Sequence, residues 1–333
     1  MTRGFFLGKF LPPHNGHLFV CGEALAQVDQ LTVLVCSHDA EPIDGHLRAG
    51  WMRQCLPQKA AHVVHMHRDI PQEPNEHPDF WRIWQQAIAG HHPEPIDVVF
   101  GSETYVHKLA QVLNAAPVVV DLERRSVPVS GTKIREAPHR HWGHIPLPVR
   151  PYFQKRVTLV GPESTGKSTL AQRLADHFKT KVIPEYGREY DAQFKQGAGW
   201  GDDDFLKITD GHRASAAAIA PQAGPIVVED TNLLQTVVWS QALLQDVSPA
   251  LAARLGDIDP PELYLLLSPN MDWVDDGTRY HASLDARQLF HARLKHWLDA
   301  TRATWVEIAG SNWPDRTDQA IQAINDAFGD MTL

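Results

Sequence analysis

Two phosphate-binding signatures stand in this chain, each directly behind its own first strand-like apolar run, and that doubling constrains the fold more than any other feature. The first reads Gly8-Lys9-Phe10-Leu11-Pro12-Pro13-His14-Asn15-Gly16-His17, and the second reads Gly161-Pro162-Glu163-Ser164-Thr165-Gly166-Lys167-Ser168. In open parallel α/β sheets a ligand sits in the crevice outside the C-terminal ends of the strands, so two such signatures imply two crevices. One large doubly wound sheet is the weaker reading; two α/β units in succession fit better.

The apolar patterning agrees. Short runs (GFFLGKF, LTVLVC, HVVHM, DVVFGS, PVVVDL) alternate with helix-length stretches, and a second series (RVTLVG, VIPE, PIVVED, ELYLLLS, TWVEIAG) repeats the pattern. Such alternation predicts parallel sheets covered by helices. After the first run, Leu18, Cys21, Leu25 and Val28 recur at helical spacing and give one apolar face. Pro146, Pro148 and Pro151 interrupt any helix between the two series, which places the boundary near residue 150. The expected fold is α/β with two doubly wound parallel-sheet domains, 1–150 and 151–333. A length of 333 residues suits two cores.

Bulk chemistry excludes several classes. A formal net charge of −9 offers no general attraction to nucleic acid, so anionic ligands must be held by local groups. No apolar run approaches the ~18 residues of a membrane span, and the N-terminus lacks the pattern of a secretory signal, so a soluble, cytoplasmic protein is expected. Three separated cysteines, Cys21, Cys36 and Cys55, point to reduced thiols rather than disulfides or a zinc site. A metal cluster among the 19 histidines is not expected, because His62, His65 and His67 lie on a strand whose side chains alternate faces. Homo-oligomerisation is left open.

The second signature fits G-x-x-x-x-G-K-[ST] without a mismatch, between a strand and the amphipathic STLAQRLADHF. Its glycines let successive N–H groups face a phosphate, Lys167 supplies a cation, and Ser168 reaches Mg²⁺. ATP or GTP binding follows, with Gly161, Glu163, Ser164, Thr165, Gly166, Lys167, Ser168 and Thr169 as the cradle. Asp230 closes the apolar strand Pro225–Val228 beyond Glu229 and resembles an acid that holds Mg²⁺ or accepts a hydroxyl proton; both roles are open. Glu185-Tyr186-Gly187-Arg188 follows VIP at another strand end, where ribose hydroxyls could be held. In Met271–Arg279, Trp273 offers a ring to stack on a base and Arg279 is placed like a lid arginine.

In the first signature, His14 and His17 can point into one cleft where a glycine turn enters a helix. Imidazoles suit charge stabilisation at an α-phosphate, since nucleotidyl transfer demands positioning and electrostatics. Ser130-Gly131-Thr132-Lys133-Ile134-Arg135 supplies a capped helix start and cations for anionic oxygens.

H-x-G-H after a first strand, paired with S-G-T-x-I-R, resembles the nucleotidyltransferase superfamily. GKFLPPHNGH, SGTKIRE, GPESTGKST, EYGREY and WVDDGTR in this order resemble, more narrowly, the bifunctional NadR family of nicotinamide mononucleotide adenylyltransferase and ribosylnicotinamide kinase. The resemblance implies a Rossmann-like nucleotidyltransferase domain, then a P-loop kinase domain, with ATP as co-substrate at both sites and Mg²⁺ as cofactor. It implies that Lys9, Phe10, His14, His17, Ser130, Thr132 and Arg135 bind ATP in the first. Trp84 would stack the nicotinamide ring there, with Trp81 on the same helical face. In the second, Lys167 and Asp230 would be catalytic, while Glu185, Tyr186, Arg188 and Trp273 would surround the riboside. Asn232 stands where the family would carry a second acid. The first strand starts by residue 4, so the repressor domain of some members, and its transcriptional role, are not expected. The alternatives are another H-x-G-H adenylyltransferase fused to a P-loop nucleoside kinase, and a non-catalytic ATP- and NAD-responsive regulator; a flavin-forming enzyme is disfavoured because a riboflavin kinase partner is a β-barrel without the Gly161–Ser168 motif.

Overall fold

Side-chain alternation along each strand divides each sheet into two apolar faces, and helices cover both. The structure is a computed structural model that describes residues 1–195, 197–256, 260–274, 280 and 283–332. It separates into two compact units, Met1–Arg150 and Pro151–Leu333.

Unit 1 runs β1 (Arg3–Gly8), α1 (Asn15–Leu25), β2 (Gln30–Ser37), α2 (Gly45–Cys55), β3 (Ala61–His67), α3 (Phe80–Ala89), β4 (Val98–Gly101), α4 (Tyr105–Leu113), β5 (Ala116–Val119) and α5 (Gly131–Glu136). Its sheet has the order β3-β2-β1-β4-β5, with every pairing parallel. Phe6, Leu31, Val33 and Val35 point to the face covered by Val20, Cys21 and Ala24 of α1 and Met52 of α2. Their neighbours Phe5, Leu34 and Cys36 point to the other face, against Trp84 and Ala87 of α3 and Val106 and Leu109 of α4. That period of two is the strand pleat. Of the four apolar positions expected on the first helix, Val28 lies beyond its end at Leu25, yet packs in the same cluster.

Unit 2 opens with the turn α6 (Arg150–Phe153) at the boundary. It continues as β6 (Lys155–Val160), α7 (Lys167–His177), β7 (Val182–Ile183), α8 (Tyr186–Tyr190), α9 (Asp202–Ile219), β8 (Ile226–Asp230), α10 (Leu233–Leu244), α11 (Pro249–Gly256), β9 (Leu263–Leu267), α12 (Leu284–Ala300), β10 (Trp305–Ile308) and α13 (Trp313–Phe328). The parallel order is β10-β9-β6-β8-β7. Val157 and Leu159 face Leu170 and Leu174 of α7 and Ile324 of α13, whereas Val160 and Leu266 face Val238 of α10 and Leu294 of α12. β7 is only two residues long because Pro184, which has no N–H for a ladder, follows it. No helix among the described residues is long and apolar enough to cross a membrane.

Candidate active sites

In unit 1 the strand order reverses between β1 and β4, and a cleft of about 800 Å³ opens beyond the C-terminal ends of these strands. Lys9, Phe10, His14, His17, Trp84, Ser130, Thr132 and Arg135 line it, whereas Lys133 of the same segment does not. His14 is the N-cap of α1. Its Nδ1 accepts the Gly16 N–H at 3.1 Å, and the Nδ1 of His17 accepts the His14 N–H at 3.3 Å, closing a reciprocal cap. A neutral ring that accepts at Nδ1 carries its proton on Nε2, so both imidazoles present an N–H donor. Burial keeps them neutral: His14 is lowered to about 4, with the Arg124 and His144 charges adding to the effect, and His17 lies well below its ordinary value through burial, then His14 and Arg124.

The distant SGTKIR segment joins this loop by contact. Ser130 caps α5 by accepting the Lys133 N–H at 3.3 Å, Arg135 donates to the Leu11 carbonyl, and its other terminal nitrogen donates to Thr132 Oγ1 at 3.3 Å. Gly131 permits the approach, since a Cβ there would press into the Leu11 carbonyl oxygen. Lys9 lies 3.4 Å from the Glu41 carboxylate, and the fully buried Arg48 binds the Lys9 carbonyl and Glu41. Trp84 is mostly buried and donates to the Pro71 carbonyl at 2.8 Å, while Trp81 lines the same cleft. Arg124 also lines the cleft, in a turn shaped by Asp121, which accepts the Arg125, Ser126 and Val127 N–H groups. No motif singled it out; its proximity to the two histidines is tertiary.

In unit 2, β6 lies between β8 and β9, and the glycine-rich loop leaves β6 into α7. A cleft of about 250 Å³ is lined by Glu163, Ser164, Gly166, Lys167, Ser168, Thr169, Glu185, Tyr186 and Arg188. Gly161 and Thr165 sit behind that lining: the Gly161 N–H donates to Gln235 Oε1 at 2.9 Å, and Thr165 is fully buried. Lys167 folds back, its Nζ donating to the carbonyls of Gly161 and Pro162 at 3.0 and 3.1 Å. Asp230 pairs in register with Leu159 at the end of β6; it is 4% exposed and its Oδ1 is buried without a hydrogen-bond partner. Burial raises the Glu185 carboxyl above its ordinary value, with Asp230 and Glu163 reinforcing and Lys167 and Arg188 opposing. Arg188 stands 3.7 Å from Glu185. Asn232, in the position of a second acid, caps α10 by accepting the Leu234 N–H and donates to the Tyr264 hydroxyl, both at 3.0 Å.

Trp273 does not line this cleft, contrary to expectation. The residues on either side are fastened to the loop, the Val274 N–H donating to Ser164 Oγ and that hydroxyl donating to the Asp272 carbonyl, and the Trp273 indole nitrogen is buried. The aromatic lining is supplied instead by Tyr186, Trp200, Phe205, Trp239 and Tyr280. Tyr280 ties them together: its hydroxyl donates to Asp191 at 2.9 Å and accepts from the Trp200 indole at 3.3 Å, and its N–H donates to Glu163. Trp239 sits in the apolar run LLQTVVWSQALL, which reads as core from sequence. His212, also in the lining, is 4.0 Å from Glu229 and lowered by burial. Arg279 lies outside the described residues.

Fold and sites define a nucleotidyltransferase-type unit followed by a P-loop unit. Residues 5–137 match the cytidylyltransferase-like family and residues 156–316 match an AAA domain family. The chain is 27% identical to the trifunctional NAD biosynthesis/regulator protein NadR of Escherichia coli K12 over 99% of its own length and 84% of that protein, and equally identical to the protein of the same name from Salmonella typhimurium LT2 over 98% and 84%. A crystal structure of a NadR protein in complex with NAD and AMP-PNP superposes with a TM-score of 0.77 at 23% identity, covering 99% of this chain and 96% of that one, and a complex with NR gives 0.78 with the same identity and coverage. The chain is thus similar to NadR proteins over nearly its whole length.

Proposed function

We propose that the chain is a bifunctional enzyme of NAD biosynthesis: unit 2 phosphorylates nicotinamide riboside with ATP, and unit 1 joins the resulting mononucleotide to a second ATP, releasing diphosphate. The observation that carries this reading is the pair of separate clefts, each at its own sheet's switch point and each with its own phosphate-binding loop.

In unit 1 a phosphate oxygen of the mononucleotide bonds to the α-phosphorus of ATP as the bond to the diphosphate breaks. Attacking and leaving groups are both anions, so no proton need move. The site must instead offset crowded negative charge with fixed donors. The Nε2–H groups of His14 and His17 act at the transferred group, Arg135, Thr132 and Ser130 hold the triphosphate, and Trp84 stacks the pyridinium ring.

In unit 2 the riboside's 5′-hydroxyl oxygen bonds to the γ-phosphorus, the bond to the β,γ-bridging oxygen breaks, and ADP departs. The hydroxyl proton passes to the Glu185–Asp230 carboxylate pair, of which Glu185 has the raised pKa. Lys167 leaves its loop carbonyls for the β- and γ-phosphates. Arg188 and Glu185 hold the ribose, and the Tyr186, Trp239 and Tyr280 rings meet the cationic pyridinium, for which aromatic faces give extra attraction.

The residues fit Mg²⁺. The orphaned Oδ1 of Asp230 and the Ser168 hydroxyl are hard oxygen donors of the kind that bind it beside phosphates. When bound, the cation neutralises charge on the β- and γ-phosphates. Incubation of the protein with nicotinamide riboside, ATP and Mg²⁺, with products identified by mass, tests the whole sequence: both the mononucleotide and NAD must appear. Phosphorylation of uridine or riboflavin in preference to nicotinamide riboside would overturn it.

A further inference from the structure

The C-terminal helix α13 presents Arg316, Ala320 and Ile324 at four-residue spacing as its buried face. The first position of that stripe holds a guanidinium where packing would favour an apolar side chain. Arg316 is 0% exposed. Its Nε donates to the Gly310 carbonyl at 2.8 Å, one terminal nitrogen to the Thr165 carbonyl at 2.6 Å, and the other to the Ser268 carbonyl at 2.8 Å and to Asn270. All four partners are uncharged oxygens. A buried cation satisfied only by dipoles retains its field, and the interior screens that field weakly.

The Thr165 contact is the informative one. In a trans peptide the carbonyl and the following N–H point in opposite directions. Drawing the Thr165 carbonyl back toward Arg316 therefore turns the Gly166 N–H forward, and Gly166 lines the cleft. The same helix supports that residue a second time. Gly166 has φ +82°, and a Cβ on it would collide with the Trp313 ring, so the first turn of α13 packs directly against the loop. Arg173 of α7 in turn lies 5.7 Å over that ring.

We propose that Arg316 is a positioning residue for ATP in unit 2: from behind the glycine-rich loop it orients the Thr165–Gly166 peptide toward the phosphates and adds a buried positive charge. This rests on the kinase reading of unit 2. The charge has no carboxylate partner among the described contacts that hold it, so an incoming polyphosphate completes its neutralisation. The residues proposed to hold the riboside, Glu185, Arg188 and Trp239, line the same cleft from other elements.

The test uses the full chain with unit 1 filled by saturating NAD, titrated with AMP-PNP and Mg²⁺, beside kinase assays. Hydrogen bonds from charged groups are worth enough that Arg316→Met should weaken AMP-PNP about 10- to 100-fold and raise the KM for ATP in proportion. The KM for riboside and the adenylyltransferase rate should stay within about twofold. Arg316→Lys, which keeps the charge but not the fork, should recover part of the loss. A folded Arg316→Met protein that binds AMP-PNP as wild type does would overturn the proposal. So would parallel weakening of riboside and AMP-PNP, which marks general loosening. If Arg316→Met does not fold, the folded Arg316→Lys protein decides: wild-type AMP-PNP affinity overturns the proposal, and several-fold weaker binding with riboside unchanged supports it. Wild-type protein that binds AMP-PNP through Arg316 yet phosphorylates no riboside would remove the kinase reading and leave this one standing.

Discussion

The rings of His14 and His17 stack with centroids 3.7 Å apart, each locked by a backbone N–H at the start of the same helix. Burial is the main cause of both depressed pKa values, and for His17 the neighbouring His14 adds to it. Both side chains are fixed as neutral donors before any ligand arrives, which is the preorganisation that charge stabilisation requires.

Titration of His14 follows from this. An unfolded histidine protonates near 6.5 and the folded one at about 4, so the unfolded chain binds the extra proton between those values. Stability is therefore lost as pH falls through that window, with nothing further lost below it. NMR titration of the ring C–H should give a midpoint of about 4 in the free protein, moving upward when ATP phosphates bind. A midpoint near 6.5 would contradict the buried stack.

His17→Ala should lower adenylyltransferase turnover by about 10²–10³, with a smaller change in the Michaelis constant. Steady-state rates at varied ATP separate the two quantities. A raised Michaelis constant with near-normal turnover would reduce His17 to a ground-state contact.

The two clefts should fail independently. Lys167→Ala should abolish riboside phosphorylation while NAD formation from supplied mononucleotide continues, both followed on one preparation. Joint loss in a folded protein would mean that the two chemistries share a site.

Ring recognition in unit 2 should follow the structure and not the motif. Trp239→Ala should weaken riboside about 2- to 30-fold, the scale of a cation–π contact, and leave ATP affinity nearly unchanged. Trp273→Ala should leave riboside affinity as it is. The reverse pattern in a binding titration would restore Trp273 as the platform.

In unit 1, Trp84→Ala should both weaken the mononucleotide and lower the melting temperature, because the ring belongs to the apolar cluster and its N–H is tied to Pro71. Truncating a buried aromatic costs about 3–5 kcal/mol. Trp84→Phe should restore much of the stability. Mononucleotide binding that survives in Trp84→Phe but not in a Trp81→Ala protein would transfer the stacking role to Trp81.

Much of this was legible in the sequence because the physics is local. The apolar runs became strands at the expected places, since a strand flanked by helices on both faces needs little more than continuous apolar side chains. His14 with His17, and Gly161 through Ser168, declared themselves because a phosphate is bound by consecutive N–H groups of one turn. Such geometry is written into adjacent residues. Only the tertiary structure decided what meets those turns. Arg135 reaches the Leu11 carbonyl across a separation of 124 residues, and Arg316 reaches Thr165 across 151. Trp239 reads as helix core until α9 and Tyr280 are placed beside it, whereas Trp273, prominent in its motif, is absent from the cleft lining while its two neighbours bond to Ser164. Side-chain direction at such positions depends on which distant element packs there, and no spacing along the chain encodes that.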